Sequence, residues 1–422
     1  MAICRNYRMK SILQINSVIN SGSTGRIAEG IGQAAIKVGW QSYIAYARNE
    51  GQSESEPIKI GSDCDIKWQG IETRLFDRHG LASVGATKDV VEKIKVIKPD
   101  IIHLHNLHGY YINIEILFKY LAIANIPVVW TLHDCWPITG HCTYFSFIGC
   151  QKWKTQCEHC QQIRTYPSSF GVDRSYKNYI LKRELFTSIS KMILVPVSKW
   201  LDNIIGDSFL NKYPRKVIHN GVDTGTFRPM QSEDLRRKLG LQDKHILLGV
   251  ANIWNYRKGL EDFIELANLL NDDEVIVLVG LKRGQIEKVS GKRILGLGKT
   301  ENTKQLAELY TLANAFINPT WEDNFPTTNI EALACGTPVI TYRTGGSPEA
   351  LTPETGFVIE QGDIVGIRNA IDLIRSRAKP SYSSACRERA VKMFNKDSQY
   401  EQYIQLYEEL LASRQRLQRK VQ

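Results

Sequence analysis

Short, almost wholly apolar runs recur along this chain, separated by longer stretches in which apolar residues return every three or four positions. The runs Ser11–Ile15, Tyr43–Ala47, Asp100–Leu104, Pro127–Leu132, Ile193–Val197 and Val217–His219 have the length and composition of strands buried on both faces. Between them, Gly25 to Val38, Asp89–Ile97, Ile112–Ala124 and Ser175–Ser190 carry helical spacing. This alternation predicts a parallel sheet with helices on both faces. The pattern restarts after Asn220-Gly221-Val222-Asp223 and Phe227-Arg228-Pro229, with strand-like runs at His245–Val250, Glu274–Val279, Arg293–Gly296, Ala315–Asn318 and Pro338–Tyr342. A domain boundary is therefore expected near Thr224–Met230. The expected organisation is α/β, with two Rossmann-like doubly wound domains (1–225 and 226–390), an interdomain cleft, and an amphipathic C-terminal helix within 391–422.

Composition bounds the class. A chain of 422 residues that is 43% hydrophobic is long enough for two substantial cores. No run of about 18 apolar residues is present, which argues against a membrane-spanning helix. The start, MAICRNYRMKSILQIN, has only a short apolar stretch that leads straight into a strand, so a cytoplasmic protein without a signal peptide is expected. Charge is uneven: residues 1–200 hold 24 Lys+Arg against 16 Asp+Glu, and residues 201–422 hold 30 against 28. A basic N-terminal half suits an anionic membrane surface, a polyphosphate-bearing lipid or nucleic acid. A solvated basic face with no partner explains it equally well.

Candidate chemistry concentrates in Asn318 to Glu349, NPTWEDNFPTTNIEALACGTPVITYRTGGSPE. Glu322 and Asp323 follow an apolar strand, a helix from Pro326 to Ala334 carries Glu331, and the next strand ends in Gly345-Gly346. At the carboxyl ends of strands in an open α/β sheet, such carboxylates can hold sugar or ribose hydroxyls, and backbone amides can hold phosphate. Ordinary helix caps use the same acids. Two loops add to this. Asn20-Ser21-Gly22-Ser23-Thr24-Gly25-Arg26 is a glycine-rich turn entering a helix, and Trp254-Asn255-Tyr256-Arg257-Lys258-Gly259 follows a strand with two cations. His133 ends the run Trp130-Thr131-Leu132-His133-Asp134; with an unperturbed pKa it would titrate near neutrality and exchange a proton.

Asp323, seven intervening residues and Glu331, followed by Ala332-Leu333-Ala334-Cys335-Gly336-Thr337-Pro338-Val339, resembles the sugar-nucleotide signature of family 4 glycosyltransferases, which have the two-domain GT-B fold. The first acid of that signature is usually glutamate, so Asp323 is a departure and the neighbouring Glu322 a substitute. The resemblance implies that Glu331 binds the donor ribose, that Asp323 meets the transferred sugar, and that Lys258 holds the donor diphosphate. Arg257 is the nearest replacement for an arginine that related enzymes place earlier. It further implies backbone contacts from Gly345, Gly346, Gly22 and Gly25, a place for His133 beside the reacting sugar, and a C-terminal helix packing back across the hinge. Related enzymes need no catalytic metal, and no Asp-x-Asp stands near the end of any strand expected above.

Five of the nine cysteines fall within 26 residues, Cys135, Cys142, Cys150, Cys157 and Cys160. In a cytosolic chain such density points to a metal, and Cys157-x-x-Cys160 with Cys142 and Cys150 would suit a structural zinc ion. Free thiols or a redox disulfide are alternatives, and His141 and His159 are alternative ligands. The interleaved Trp136, Tyr144, Phe145, Phe147 and Trp153 suit either an acceptor platform or packing around this loop. The insert, with HD-x-W-x-x-T-G and W-K-x-x-C-x-x-C, is similar to one in glycosyltransferases of colanic-acid and capsular-polysaccharide synthesis.

The expected function is a retaining hexosyl- or acetylhexosaminyltransferase. It would move a sugar from a nucleoside-diphosphate donor, UDP favoured, to a lipid-linked saccharide of bacterial exopolysaccharide, capsule or O-antigen, as a peripheral protein on the inner face of the cytoplasmic membrane. Rival expectations are another GT-B enzyme, a sugar-nucleotide epimerase or a phosphorylase, and a zinc-containing nucleic-acid-binding protein. The last lacks a compact basic helix, so no nucleic-acid partner is expected.

Overall fold

The computed structural model describes residues 8–291 and 293–421. These form two compact units, one comprising the chain up to Ile218 together with Gln399 onward, the other His219–Ser398.

The first unit contains β1 (Ser11–Ile15), β2 (Val18–Ile19), β3 (Gln41–Tyr46), β4 (Arg48–Glu50), β5 (Glu56–Lys59), β6 (Ile101–Leu104), β7 (Val128–Leu132) and β8 (Met192–Pro196). Six of them make one parallel sheet in the order β5-β3-β1-β6-β7-β8, while β2 and β4 pair separately. The second unit contains β9 (His245–Val250), β10 (Glu274–Val279), β11 (Ile294–Leu297), β12 (Ala315–Asn318), β13 (Val339–Tyr342) and β14 (Gly356–Ile359), all parallel in the order β11-β10-β9-β12-β13-β14. Each sheet thus grows outward from its first strand, then restarts on the other side. That is the doubly wound, Rossmann-like order, with its reversal between β1 and β6 in one unit and between β9 and β12 in the other.

The central strands β1, β6 and β7 are buried along their whole length, as continuous apolar runs require. The edge strands β5 and β14 escape that pattern. In β5 only Ile58 is buried, and Pro57 is tolerated because it lies on an edge. Val217–His219, expected as a strand, is not one; the Ile218 amide donates to the Pro196 carbonyl at 3.2 Å without forming a ladder. Helix Asp63–Phe76, not among the expected helices, starts at a capping box between Ser62 and Asp65.

The C-terminal helix Lys396–Val421 buries Tyr400, Tyr403, Leu406, Tyr407 and Leu411 in one cluster with Ile12, Ile31, Trp40, Ile101 and Val129 of the first unit. Gly30 lies beneath it, where a Cβ would fall 2.1 Å from the Tyr400 ring. The Tyr407 hydroxyl donates to His103 Nδ1 at 2.6 Å, and Thr131 donates to the Tyr403 hydroxyl at 3.1 Å. Truncating a fully buried aromatic typically costs about 3–5 kcal/mol. Tyr407→Ala should therefore destabilise the first unit by that amount, read as a lower urea midpoint for its transition. An unchanged midpoint would mean that this helix is not part of that core.

Candidate active site

In the second unit, the loops after β9 and β12 flank the strand-order reversal, where neighbouring loops part to opposite faces and leave a crevice. The β9 loop passes through a short 3-10 turn, Tyr256–Lys258, to Gly259. Gly259 has φ +72°, and a Cβ there would stand 2.2 Å from the Pro319 carbonyl, so only glycine lets the two loops meet. They are then tied together. The Trp321 amide donates to the Arg257 carbonyl at 2.8 Å, and Arg257 Nη1 donates to the Glu322 carbonyl at 2.6 Å.

Across this junction the Lys258 ammonium pairs with the Asp323 carboxylate, both side chains about one-fifth exposed, at 21% and 20%. Burial pulls the Lys258 pKa down, and Arg257 adds to that while Asp323 opposes it. Burial alone would raise the Asp323 pKa, but Lys258 and Arg257 together hold it below the usual carboxylate value. Asp323 is therefore ionised at neutral pH. Its backbone is clamped from the far side by the turn after β13. Gly345, at φ +52°, lies so close that a Cβ would reach 1.8 Å from the Asp323 carbonyl. The Gly346 amide donates to that same carbonyl at 3.1 Å, and Thr344 Oγ1 donates to the Thr320 carbonyl at 2.7 Å.

Arg257, Lys258, Glu322, Asp323, Gly345 and Gly346 therefore belong to one contact network. The adjacent acids divide. Glu322 is fully buried and offers its carbonyl to Arg257, whereas the Asp323 side chain keeps access to solvent. Glu331, on the next helix Thr327–Ala334, is half-buried, and its Oε2 accepts from the Tyr310 hydroxyl at 3.0 Å. Tyr310 is a site residue that sequence reasoning missed; nothing in local spacing links it to Glu331. The surface so formed combines fixed cations, carboxylates and close-packed backbone, which suits an anionic ligand bearing hydroxyls.

In the first unit the equivalent reversal lies between β1 and β6. Gly22 begins helix Gly22–Lys37 at φ +63°, and a Cβ on Gly25 would meet Val18 Cγ2 at 3.0 Å. His133 stands immediately after β7, and His105 immediately after β6. Their rings stack at 5.5 Å, with His105 Nδ1 3.2 Å from His133 Nε2. Burial pushes the His133 pKa down to about 4, with Asp134 opposing and His108 adding. The expectation of a histidine titrating near neutrality is corrected: at pH 7 this ring is neutral. Asp134 instead pairs with His108, whose other nitrogen lies 2.9 Å from the Tyr166 hydroxyl.

In the insert, Cys142, Cys150, Cys157 and Cys160 line one cavity of about 240 Å³ with His141 and Trp153. A hydrogen bond to Cys160, then burial, pushes the Cys142 pKa well up, and Cys157 and Cys150 add to it. As placed, no three His, Cys, Asp or Glu side chains among the described residues form a metal-ligand set. His141 is turned to Asp77, Nδ1 to Oδ1 at 2.6 Å, with both side chains fully buried. The aromatic question resolves for three of the five rings. Trp136, Phe145 and Trp153 are buried, Phe145 and Trp153 stacking at 5.1 Å, so they pack the loop and present no platform.

Comparison with known proteins agrees with this architecture. Residues 24–226 match the model for Glycosyltransferase Family 4, and residues 231–393 match that for Glycosyl transferases group 1. A putative colanic acid biosynthesis glycosyl transferase, WcaC, of Escherichia coli K12 is 24% identical over 84% of this chain and 88% of its own length. Among solved structures, sucrose-phosphate synthase from Thermosynechococcus elongatus superposes with a TM-score of 0.71 at 17% identity, covering 96% of this chain and 100% of that one. HepE of Anabaena, crystallised with UDP, gives 0.67 at 16% identity over 95% of this chain and 100% of its own. With two parallel sheets in Rossmann-like order beneath these matches, the chain is a glycosyltransferase of the GT-B fold, family 4 in its N-terminal part and group 1 in its C-terminal part.

Proposed function

We propose that this glycosyltransferase is retaining, and moves a hexosyl or acetylhexosaminyl group from a UDP-sugar to a lipid-linked saccharide in the synthesis of a bacterial surface polysaccharide. The observation that carries the donor half is the Lys258–Asp323 pair, locked beside Arg257 and the Gly345-Gly346 turn at the strand-order reversal of the second unit. A departing nucleoside diphosphate gathers negative charge, and Lys258 and Arg257 are fixed cations that meet it without reorganising. Losing one such donor costs on the order of 10²–10³ in rate. Asp323 holds hydroxyls of the transferred sugar and Glu331 the ribose, its carboxylate braced by Tyr310. The neutral His133 faces the reacting sugar as a hydrogen-bonding group, and no catalytic metal takes part. The UDP in the HepE crystals supports the choice of nucleotide, and the colanic-acid name of the Escherichia coli relative supports the polysaccharide setting.

Thermal shifts with UDP, GDP, ADP and CMP test this directly. A nucleotide at about 100 times its dissociation constant adds roughly 2.7 kcal/mol to the folded state. UDP should shift the wild type and not Glu331→Ala, and UDP release from a UDP-sugar should require a lipid-linked saccharide. A folded wild type that no nucleotide shifts would end this reading.

The proposal includes peripheral attachment to the cytoplasmic face of the inner membrane. No helix among the described residues is long and apolar enough to cross a bilayer. Helix Asp63–Phe76, however, exposes Trp68 (59%), Ile71, Leu75 and Phe76 away from its buried Gln69, Gly70 and Thr73. Lys67 and Arg74 are exposed on the same helix, and Phe170, 66% exposed, is tied to it where its amide meets the Arg74 carbonyl at 2.7 Å. Apolar side chains beside cations suit an anionic lipid interface. The protein should co-sediment with vesicles containing phosphatidylglycerol and not with pure phosphatidylcholine, and Trp68→Ser/Phe76→Ser should weaken that binding about tenfold, given the apolar area removed. Equal binding by the variant would clear this helix of the role.

We also propose a structural zinc ion on Cys142, Cys150, Cys157 and Cys160. The four-thiolate donor chemistry suits zinc, and the four cysteines line one cavity, which supports the reading. Purified protein should carry one zinc per chain, and Cys157→Ser/Cys160→Ser should lose the metal and melt at lower temperature. Metal-free protein with all four thiols open to titration would rule the ion out.

A further inference from the structure

Behind His133 runs a chain of buried polar groups whose donors and acceptors can be assigned one after another. It begins at the Ala28 carbonyl, which can only accept. Gln14 Nε2 lies 2.7 Å from it and must be the amide nitrogen, donating. That settles the orientation of the Gln14 amide, so its oxygen is the atom 2.9 Å from His105 Nε2. An amide oxygen only accepts, hence His105 carries its proton on Nε2 and a lone pair on Nδ1. His105 Nδ1 lies 3.2 Å from His133 Nε2, and a lone pair there requires the proton on His133 Nε2. Gln14 is fully buried and His105 nearly so, at 2% exposed, which leaves little room for water to supply another assignment. The Trp130 indole holds the His105 backbone carbonyl at 3.0 Å, keeping this histidine in register with β7. The two imidazoles are neutral, since burial pushes both pKa values down.

We infer that Gln14 and His105 are positioning residues that hold His133 as its Nε2–H tautomer, so that Nδ1 is the ring's acceptor nitrogen. The inference rests on the proposed function only for its catalytic consequence: a ring with Nδ1 unprotonated accepts a hydrogen bond, and one with the other tautomer donates there instead. Nothing local in the sequence announces this arrangement, because Gln14, His105 and His133 stand on three separate strand ends.

Nitrogen NMR on the full-length chain labelled with ¹⁵N-histidine tests it, the His133 signals being identified by their loss in His133→Gln. At pH 7 the wild type should show His133 Nε2 with a protonated-nitrogen shift and Nδ1 with an unprotonated one. An Nδ1–H tautomer, or a doubly protonated ring, would overturn the inference without any activity measurement. Gln14→Met keeps length and burial but removes the acceptor, and should spread His133 over both tautomers. An unaltered His133 in folded Gln14→Met would overturn the role of Gln14; should that variant not fold, the wild-type signals decide alone. In sugar transfer, Gln14→Met should lower kcat on the order of 10²-fold, the lower range for a positioned proton-handling group, with little change in the donor KM. A shifted tautomer with unchanged kcat would leave the hydrogen-bond assignment standing and refute the placement of His133 at the reaction.

Discussion

The reversal of strand order in each sheet is the constraint on which the rest of this molecule depends. In a parallel sheet wound outward from one strand, successive connections cover one face; when the winding restarts, they cover the other. At the restart, two neighbouring loops leave the sheet in opposite directions, and the space between them cannot be filled by either helix layer. In the second unit those loops bring Arg257 and Lys258 from one strand end and Glu322 and Asp323 from the next. In the first they leave the ends of β1 and β6, with the glycine-rich turn on one side and His105 on the other. The candidate chemistry is located by topology before any side chain is considered.

What topology supplies is space; what makes the space useful is rigidity. An ion pair such as Lys258–Asp323 contributes little if its members move freely, since its attraction is set against side-chain entropy and solvent screening. Here the backbone on each side is immobilised by approaches that exclude any side chain. The Asp323 carbonyl lies under Gly345, and the Pro319 carbonyl under Gly259. Replacing Gly259 would push apart the two loops that carry the charges, and replacing Gly345 would drive the Asp323 backbone away from the turn after β13. The glycines are thus as much part of the electrostatics as the charged groups, and the left-handed φ at each reflects that packing requirement.

This also explains how much was legible in the sequence. The central strands of both sheets were, because burial on both faces demands an unbroken apolar run. Edge strands such as Glu56–Lys59 were not, because one-sided burial leaves a single apolar position in four residues. In the second unit most of the site lies in two contiguous segments, so the resemblance to the family 4 signature could group Lys258 with Arg257 and Asp323 with Glu331. The partners that orient them were invisible. Tyr310 reaches Glu331 from another helix, and the division between buried Glu322 and accessible Asp323 depends on which way one loop turns. The neutral state of His133 was likewise hidden, since its cause is burial by distant residues.

The histidines of β6 and its exit show the same logic carried into the core. His103 and His105 are two apart and both buried, so each must find its polar partners within the protein. His105 finds Gln14 on the neighbouring strand. His103 lies between Thr131, 2.8 Å from its Nε2, and the Tyr407 hydroxyl, 2.6 Å from its Nδ1, the latter supplied by the C-terminal helix 304 residues away. A buried imidazole deprived of one such partner keeps the full desolvation penalty of an unpaired nitrogen, about 1–3 kcal/mol, against about 1 kcal/mol gained by an ordinary hydrogen bond. That asymmetry makes the C-terminal helix more than a hydrophobic cover. Its tyrosines complete a polar network in the middle of the first sheet, and the sheet can carry a histidine row up to His133 only because the far end of the chain returns to satisfy its base.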